Sequence, residues 1–486
     1  MSITRRQLIV VLAITALYLI GQLLVGTDPV VASLFSIAIL FGTLSVFAGG
    51  GLASGFGCLN AILIGKFLLF GVAIKIVFLQ PADDSLRSPP TTALVMAMGF
   101  MGVFLGTVIQ AHMLCPRSFS LNRALSDRVL LSLSIVLFVV SYAGYFASMI
   151  PEARGEGLQT GGWLGIARSL GSLRSFSMIP PMLYLWRLRT RLWMTHPAIL
   201  GLLTWSSLVG IFSTGKQDAM EPLAFYVLVG FLRYGWGDLR LWSLVSMGTI
   251  YYAMIVFPYS QYVRNNGGRQ GTFEQRALVT KETFLRAATD EDFRTTLNNR
   301  VSDGSYVGSG WLSAFGRLAM VGPADHLIAA TERQQAFTGW ETITWGFKLA
   351  TPSFLYPNKP VFGAGNYLAH IVGEVGRSDT TTQVSYGIMA NLYNAFSFTG
   401  VLIGTPIFFA VFYYWIRIFL GDAKWEGAPT ASMLWFSWLI ASYQHSIVES
   451  SLAGVISSLS FPVVLWLLYI LSRGVSLFFP NEIRRV

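Results

Sequence analysis

Charged side chains are scarce in this chain. Lys, Arg, Asp and Glu together make up 12% of the 486 residues, whereas hydrophobic residues make up 53% and the mean hydropathy is +0.56. A soluble fold needs more polar side chains than this to cover its surface. The composition therefore excludes an ordinary soluble domain and predicts an all-α polytopic membrane protein.

Cysteine and histidine are also rare. The two cysteines, Cys58 and Cys115, lie near predicted ends of apolar runs. They imply neither a disulfide framework nor a cysteine metal site. The histidines are scattered without the spacing of a ligand set, so no zinc site is expected; they are His112, His196, His326, His370 and His445.

Nucleotide-binding and soluble-enzyme motifs are missing as well. The chain has no Walker loop, dinucleotide fingerprint, His-Glu-x-x-His pair or Gly-x-Ser-x-Gly elbow. The sequence ending in Lys216 resembles the tail of a phosphate loop but lacks its leading glycine. We interpret Lys216 as a positively charged residue at a helix junction, where its side chain can bind a lipid pyrophosphate. The net charge of +10 lies mostly in loops between apolar runs, which favours anionic lipid or a phosphate-bearing substrate over nucleic acid.

Long apolar runs dominate what is present. Runs of about 17 to 25 residues predict about twelve transmembrane helices. The first follows Arg5 and Arg6, reaches Gly26 and is expected to be an uncleaved helix. Lys75 lies near an end of the third span and is expected to snorkel. The later spans are predicted at 29–48, 56–79, 92–113, 129–149, 163–186, 197–213, 219–236, 241–258, 397–419, 430–447 and 453–475.

The positions of basic residues predict the orientation. Lysine and arginine residues fall mainly in every second short loop between the predicted spans. The positive-inside rule then puts both termini in the cytoplasm. In a bacterial cell the long central segment would lie on the periplasmic face of the inner membrane. We therefore expect three parts: an N-terminal bundle of nine spans at 1–257, a large periplasmic loop at 258–396, and a C-terminal bundle of three spans at 397–486.

The central loop carries its own helical patterns. Apolar and charged residues recur with helical spacing at 272–297, which predicts amphipathic helices on the bilayer surface. A second helical stretch, 310–331, carries Arg317, Asp325 and His326. The prolines between Pro352 and Pro360 then forbid a continuous helix.

The order of motifs from Arg317 onwards resembles a known family. Arg317 and Asp325 are followed by a Phe-Thr-Gly-Trp turn at 337–340, a proline-rich segment ending in Asn-Lys-Pro at 358–360, and Tyr-Asn-Ala-Phe-Ser-Phe-Thr-Gly at 393–400. This order resembles the O-antigen polymerases (Wzy-type), which polymerise oligosaccharide repeat units. The chain departs from the family pattern at four positions. Ser353 stands where the family often has arginine, and Asn358 where it often has aspartate. Asn391 stands where glutamate is common, and Ser397 where glycine is usual.

The resemblance implies an integral-membrane glycosyltransferase with a GT-C-like fold. Such enzymes transfer a glycan from polyprenyl pyrophosphate to a new lipid-linked repeat unit at the periplasmic face, without nucleotide sugar, metal or cofactor. The implied partners are the polyprenyl-pyrophosphate-linked oligosaccharide and membrane lipids, with a chain-length regulator and a flippase as candidate protein partners. No nucleic acid is expected.

The chemistry of the implied reaction, together with residue position and spacing, suggests which residues act. Arginine forks suit a departing pyrophosphate, so Arg264 and Arg317 are expected on the phosphates, with secondary contacts from Lys359, Arg377 and Lys216. The attacking hydroxyl needs a general base. His370 and Glu374 form an i, i+4 pair on a predicted helix face, Asp379 and Asp325 are alternatives, and His445 forms another such pair with Glu449.

Two other functions stay open at this stage. An O-antigen ligase would move the finished glycan onto a lipid A core by similar chemistry. A lipid-linked-sugar transporter would suit the number of spans, although no pair of similar halves is visible and the large loop is unusual for a carrier.

Overall fold

A computed structural model of the chain describes residues 3–52, 54–113, 126–147, 170–171, 174, 177–187, 195–212, 220, 222–224, 226–227, 230–231, 234–235, 237–252, 256, 259–260, 262–263, 273–290, 292–293, 306, 319–335, 337–351, 356, 364–376, 384–420 and 461–477. No β-strand occurs in this part of the chain, which confirms the all-α class there. The helices are α1 (Arg5–Leu24), α2 (Pro29–Ala48), α3 (Gly55–Ile64), α4 (Phe70–Val77), α5 (Pro89–His112), α6 (Asp127–Ala147), α7 (Ile179–Arg187), α8 (Pro197–Phe212), α9 (Leu239–Tyr251), α10 (Phe273–Thr289), α11 (Val321–Gln334), α12 (Glu341–Ala350), α13 (Ala364–Val372), α14 (Ile388–Thr399), α15 (Thr405–Leu420) and α16 (Phe461–Ser476).

Six helical stretches in the described residues are long and apolar enough to cross a membrane. They agree with six of the predicted spans and are Arg5–Leu24, Pro29–Ala48, Gly55–Val77, Pro89–His112, Asp127–Ala147 and Ile388–Trp415. The predicted span at 197–213 corresponds to α8, which is shorter, with 16 residues. The other predicted spans lie wholly or partly outside the described residues. The structure is thus an all-helical membrane-type bundle.

Local sequence explains how the first two helices begin. Thr4 and Gln7 form a capping box, in which the Thr4 hydroxyl accepts from the Gln7 N–H and the Gln7 side chain accepts from the Thr4 N–H. Asp28 caps α2 by accepting the N–H groups of Val30 and Val31 at 2.8 and 3.2 Å. Pro29 takes the first helical position, where its missing N–H costs nothing.

The third span is interrupted by a π-turn. Residues Gly65–Leu69 join α3 to α4 with π-type hydrogen bonding. Lys75, near the end of α4, does not snorkel as expected, because it is 1% exposed. Its Nζ donates to Ser85 at 2.8 Å and lies 4.8 Å from the ring centroid of Tyr306. The Tyr306 hydroxyl donates to the carbonyl of Ala82 at 2.8 Å, so the predicted central loop is anchored to the bundle here.

Helix α11 comes from the predicted central loop but lies inside the bundle. The N–H of Met320, immediately before the helix, donates to the carbonyl of Lys66 in the π-turn at 3.0 Å. Asp325 and Leu327 are fully buried, and so is Thr331 in the third turn. A π-turn disrupts the regular ladder of helical hydrogen bonds, and here a neighbouring chain segment binds one of its carbonyls.

The sixth long stretch is a helical hairpin rather than one straight helix. Phe396 and Ser397 have non-helical backbone angles, with φ of +57° at Ser397. A Cβ at Gly404 would lie 3.0 Å from the Leu392 side chain. In a straight helix these residues would be about 18 Å apart. Residues 388–395 therefore fold back against residues 398–420, and the predicted start of a span at residue 397 coincides with this turn.

Residues 388–395 also enter the bundle to about the depth of the π-turn. A Cβ at Gly387 would lie 2.1 Å from the ring of Phe67, and one at Gly99 would lie 2.5 Å from the Sδ of Met389. Gly99 is ten residues into α5, which corresponds to about 15 Å at 1.5 Å per residue. The hydrocarbon core of a bilayer is about 30 Å thick, so the start of this half-helix lies about half that thickness from the start of α5.

These short helices change the expected picture of the central loop. The sequence suggested a loop with helices on the bilayer surface, whereas α11 and residues 388–395, which we call the re-entrant helices, are buried among the helices of the bundle. Irregular backbone at this depth is tolerated because it is buried in protein. Helix α10 confirms the helix predicted within 272–297, and Leu278 and Leu285 on it are 56% and 55% exposed.

Candidate functional site

Two of the motifs that carry the family resemblance interlock at the hairpin turn. Carbonyls at the end of the 388–395 half-helix lack helical partners because the helix stops there. The Asn394 carbonyl accepts the N–H of Thr338 at 3.0 Å, and the Ala395 carbonyl accepts that of Gly339 at 3.1 Å. The rings of Trp340 and Phe396 pack edge to face, with their centroids 5.1 Å apart. The Phe-Thr-Gly-Trp turn thus caps the re-entrant half-helix.

Buried side chains tie the same turn to α11. Asn394 is fully buried, accepts the Thr338 hydroxyl at 3.0 Å, and donates to the Thr331 hydroxyl at 2.8 Å. Thr331 in turn donates to the carbonyl of Leu327. The two re-entrant helices and the 337–340 turn therefore form one hydrogen-bonded unit.

Asp325 fixes this unit to the start of α5. Its carboxylate accepts the N–H groups of Arg87 and Ser88 at 2.6 and 3.0 Å, and the hydroxyl of Thr92 at 2.7 Å. The helix N-terminus otherwise has no side-chain cap, and a carboxylate there satisfies unpaired donors and the helix dipole. Asp325 is fully buried and committed to these bonds, so its role as an alternative base is replaced by a structural one.

Glu332, two turns further along α11, binds the same helix start. One carboxylate oxygen accepts the Thr91 hydroxyl at 2.6 Å and the other accepts the Ser88 hydroxyl. Asp325 and Glu332 lie on the same face of α11, and both bind the start of α5. We call this pair of carboxylates the clamp. It fixes the position of the residues of α11 that lie between them.

His326 is one of those intervening residues, and it meets Glu374. The Nδ1 atom of His326 contacts one oxygen of the Glu374 carboxylate, and the Tyr386 hydroxyl donates to the other at 2.9 Å. The side chains of His326 and Glu374 are 21% and 25% exposed, and Tyr386 is buried. We call His326, Glu374, Tyr386 and the nearby Arg87 the His326 cluster.

The expected i, i+4 pair of His370 and Glu374 does not form on one helix. Helix α13 ends at Val372, and Gly373 follows with φ of +79°. A left-handed glycine at this position ends helices commonly. Glu374 therefore lies beyond the helix, while His370 is in its last turn and partly buried.

The surroundings of Glu374 favour its charged form. Burial alone raises the pKa of this carboxyl, but hydrogen bonds from His326 and Tyr386, with the charges of His326 and Arg87, outweigh burial and bring its pKa below the usual value. Tyr386 contributes a neutral donor from inside the bundle. The carboxylate is therefore ionised at neutral pH.

This geometry determines the tautomer of His326 when its ring is neutral. An ionised carboxylate only accepts hydrogen bonds, so the proton lies on Nδ1 and the Nε2 atom is left as an acceptor. A carboxylate on Nδ1 also stabilises the imidazolium that forms when Nε2 takes up a proton. The pair can act as a general base oriented from behind by Glu374.

Most of the predicted site residues lie outside the described residues. This group comprises Arg264, Arg317, Lys359, Arg377, Lys216, Asp379 and His445. Of the residues predicted to act, only His370, Glu374 and the alternative Asp325 are described. The structure links Glu374 with His326, 48 positions earlier in the chain.

Sequence reasoning missed the role of His326 and did not single out Tyr386 or Arg87. Gly373 was the available signal, since a glycine after a short apolar helix predicts the end of that helix. Nothing in the spacing from residue 326 to 374 predicts the contact itself.

The described residues contain no group of three or more His, Cys, Asp or Glu that could hold a metal ion. The His326 cluster has one histidine and one carboxylate, which is fewer than the three protein ligands of a typical catalytic zinc site. No protein-family model matches the chain, and neither a curated protein nor a solved structure matches it.

Proposed function

We propose that this protein is a glycosyltransferase that polymerises polyprenyl-pyrophosphate-linked oligosaccharide repeat units into O-antigen or a related surface polysaccharide. The observation that carries the proposal is the His326 cluster. It combines an oriented, partly exposed imidazole with an ionised carboxylate, beside the interlocked motifs at 337–340 and 393–400 that resemble this family. These features support acid–base chemistry at the edge of an apolar bundle.

In the proposed reaction a sugar hydroxyl of the acceptor attacks the anomeric carbon of the donor. A new C–O bond forms, the bond to the pyrophosphate oxygen breaks, and the pyrophosphate leaves with the electron pair. The Nε2 atom of His326 accepts the hydroxyl proton, and Glu374 stabilises the resulting imidazolium. General-base catalysis of this kind contributes about 10² to 10⁴ in rate.

The departing pyrophosphate needs cations. We assign this role to Arg264 and Arg317, with Lys359, Arg377 and Lys216 as secondary contacts, because guanidinium forks bind phosphate oxygens in pairs. Arg87 joins this proposal since it is exposed and its charge already acts on Glu374. His370, Asp379 and His445 remain secondary candidates for proton transfer.

The proposal includes the finer architecture. The complete chain would form about twelve spans in a GT-C-like fold, in the bacterial inner membrane with both termini in the cytoplasm. The His326 cluster would then face the periplasm, where the lipid-linked donor is presented.

Reconstitution tests this function directly. Purified protein in liposomes is given a polyprenyl-pyrophosphate-linked repeat unit, and lipid-linked products are separated by length. A ladder of longer glycans is expected. Transfer only to an added lipid A core would identify a ligase, and movement of the substrate across the bilayer without new bonds would identify a transporter; either result would overturn the proposal.

A further inference from the structure

Helix α12 carries an exposed stripe that is more apolar than its sequence suggests. Trp340, Thr344, Phe347 and Thr351 follow one another at intervals of three or four residues and so share one face. Trp340 is 70% exposed and Phe347 is 60% exposed. We call these four residues the α12 stripe.

The two threonines of the stripe do not offer free hydroxyl donors to water. The Thr344 hydroxyl donates to the Trp340 carbonyl at 2.9 Å, and the Thr351 hydroxyl donates to the Phe347 carbonyl at 2.9 Å. Each hydroxyl is turned back onto its own helix. The surface presented is therefore two aromatic rings and two threonine side chains whose donors are already used.

The opposite face of α12 packs on the protein. Thr342 is 3% exposed, and the Trp345 ring lies 4.8 Å from that of Tyr367 on α13. The Tyr367 hydroxyl donates to Glu341 at 3.0 Å. The helix is thus seated on α13, with its stripe directed away from the bundle.

The stripe continues a second apolar surface. Trp340 at its start contacts Phe396 at the hairpin turn, where the span of residues 398–420 begins. That span is exposed on one side at Leu402, Ile403, Ile407 and Val411, by 45%, 54%, 57% and 54%. Apolar side chains exposed along a membrane span face lipid, and Leu402 follows Phe396 closely in sequence, just after the hairpin turn.

The length of the span gives the depth of the stripe. Twenty-three helical residues cover about 34 Å, close to the thickness of the hydrocarbon core. The hairpin turn then lies at the boundary between acyl chains and headgroups. Trp340 is in contact with that turn, and tryptophan is enriched at this level of a bilayer.

We propose that α12 lies in the membrane interface, with the α12 stripe against the acyl chains of the phospholipids around the bundle. Its occupant is lipid, and the role is independent of the reaction assigned to the His326 cluster. Lys348 directly follows Phe347, and a lysine at this level of a bilayer is suited to bind lipid phosphate groups.

Spin-label accessibility tests this placement in the full-length protein. A nitroxide is attached to Thr344→Cys or Phe347→Cys in a Cys115→Ser background that keeps the buried Cys58. Leu402→Cys serves as the lipid reference and Arg333→Cys, at an exposed position of α11, as the water reference. The protein is reconstituted in vesicles of phosphatidylethanolamine and phosphatidylglycerol, and power saturation compares collision with oxygen and with a nickel chelate.

The labels on α12 are expected to match the lipid reference, with an oxygen-to-nickel ratio several-fold above that of the Arg333→Cys label. Thr344→Cys removes no aromatic ring, so it tests the placement even if Phe347→Cys fails to fold. Labels that match the water reference would overturn the proposal. So would labels shielded from both reagents, or a label-to-label distance that reveals a second copy of the chain on this face.

Discussion

At the scale of single residues, the molecule uses carboxylates in two different ways. Asp325 is buried and caps a helix, whereas Glu374 is partly exposed and orients a histidine. Sequence alone suggested both as candidate bases, because an aspartate and a glutamate look alike until their donors are known. Backbone N–H groups 237 and 238 positions away determine the role of Asp325.

Glu374 predicts a dependence of stability on acid. Its pKa in the folded protein is below the usual value, so its contribution is present above the unfolded pKa of about 4.3 and is lost as the pH falls through the folded pKa. We expect the melting temperature of the wild type to fall more between about pH 5 and pH 3 than that of Glu374→Gln. Tryptophan fluorescence on heating measures both.

The control for this effect is Glu282→Gln on α10, an exposed position. Its melting temperature should follow that of the wild type across the same pH range. Equal acid sensitivity of Glu374→Gln and the wild type would contradict the assigned contacts of Glu374.

Asp325 predicts a large loss of stability on truncation. Asp325→Ala leaves two backbone N–H groups and one hydroxyl without their acceptor, and each buried unpaired donor costs about 1 to 3 kcal/mol. Asp325→Asn keeps one oxygen and should lose less. Thermal unfolding compares the melting temperatures of these variants with that of Glu282→Ala, which should stay near the wild-type value. A wild-type melting temperature for Asp325→Ala would refute the capping role.

At the scale of helices, the six long apolar stretches of the described residues were predictable and the re-entrant helices were not. Long apolar runs are visible in sequence because a membrane demands their length, and α1, α2, α5 and α6 lie where those runs are. Residues 388–395 and α11 are too short to give that signal. Their burial depends on contacts with Lys66 and Phe67, which lie more than 250 positions away in sequence.

Ser397 predicts a stabilising substitution at the hairpin turn. Its φ of +57° and ψ of −153° lie close to a region that is essentially confined to glycine and costs about 1 to 3 kcal/mol in other residues. Ser397→Gly removes this strain, against an entropy cost of about 0.5 to 1 kcal/mol. We expect a higher melting temperature.

A matched serine distinguishes strain relief from a general effect of glycine. Ser246 is exposed in the regular helix α9, where glycine lowers stability by about 1 kcal/mol. Ser246→Gly should therefore lower the melting temperature while Ser397→Gly raises it. Loss of stability in both variants would mean that the turn is not strained as described.

At the scale of the whole molecule, the described helices of the central loop and the bundle form one structure. The clamp from Asp325 and Glu332 joins α11 to α5, the 337–340 turn joins α11 to the hairpin, and Glu374 closes the arrangement against His326. The sequence predicts candidate chemistry in this region, and the described contacts join residues from within it. The partners within it required the fold, because they come from separate helices.

Single-residue kinetics in the reconstituted polymerisation assay test the central claim, that His326 oriented by Glu374 is the base. We predict that His326→Asn slows glycan extension at least about 100-fold. Glu374→Gln should also slow it and shift its pH dependence, while His112→Asn, at the exposed end of α5, should extend glycan like the wild type. Undiminished extension by correctly folded His326→Asn would contradict the account.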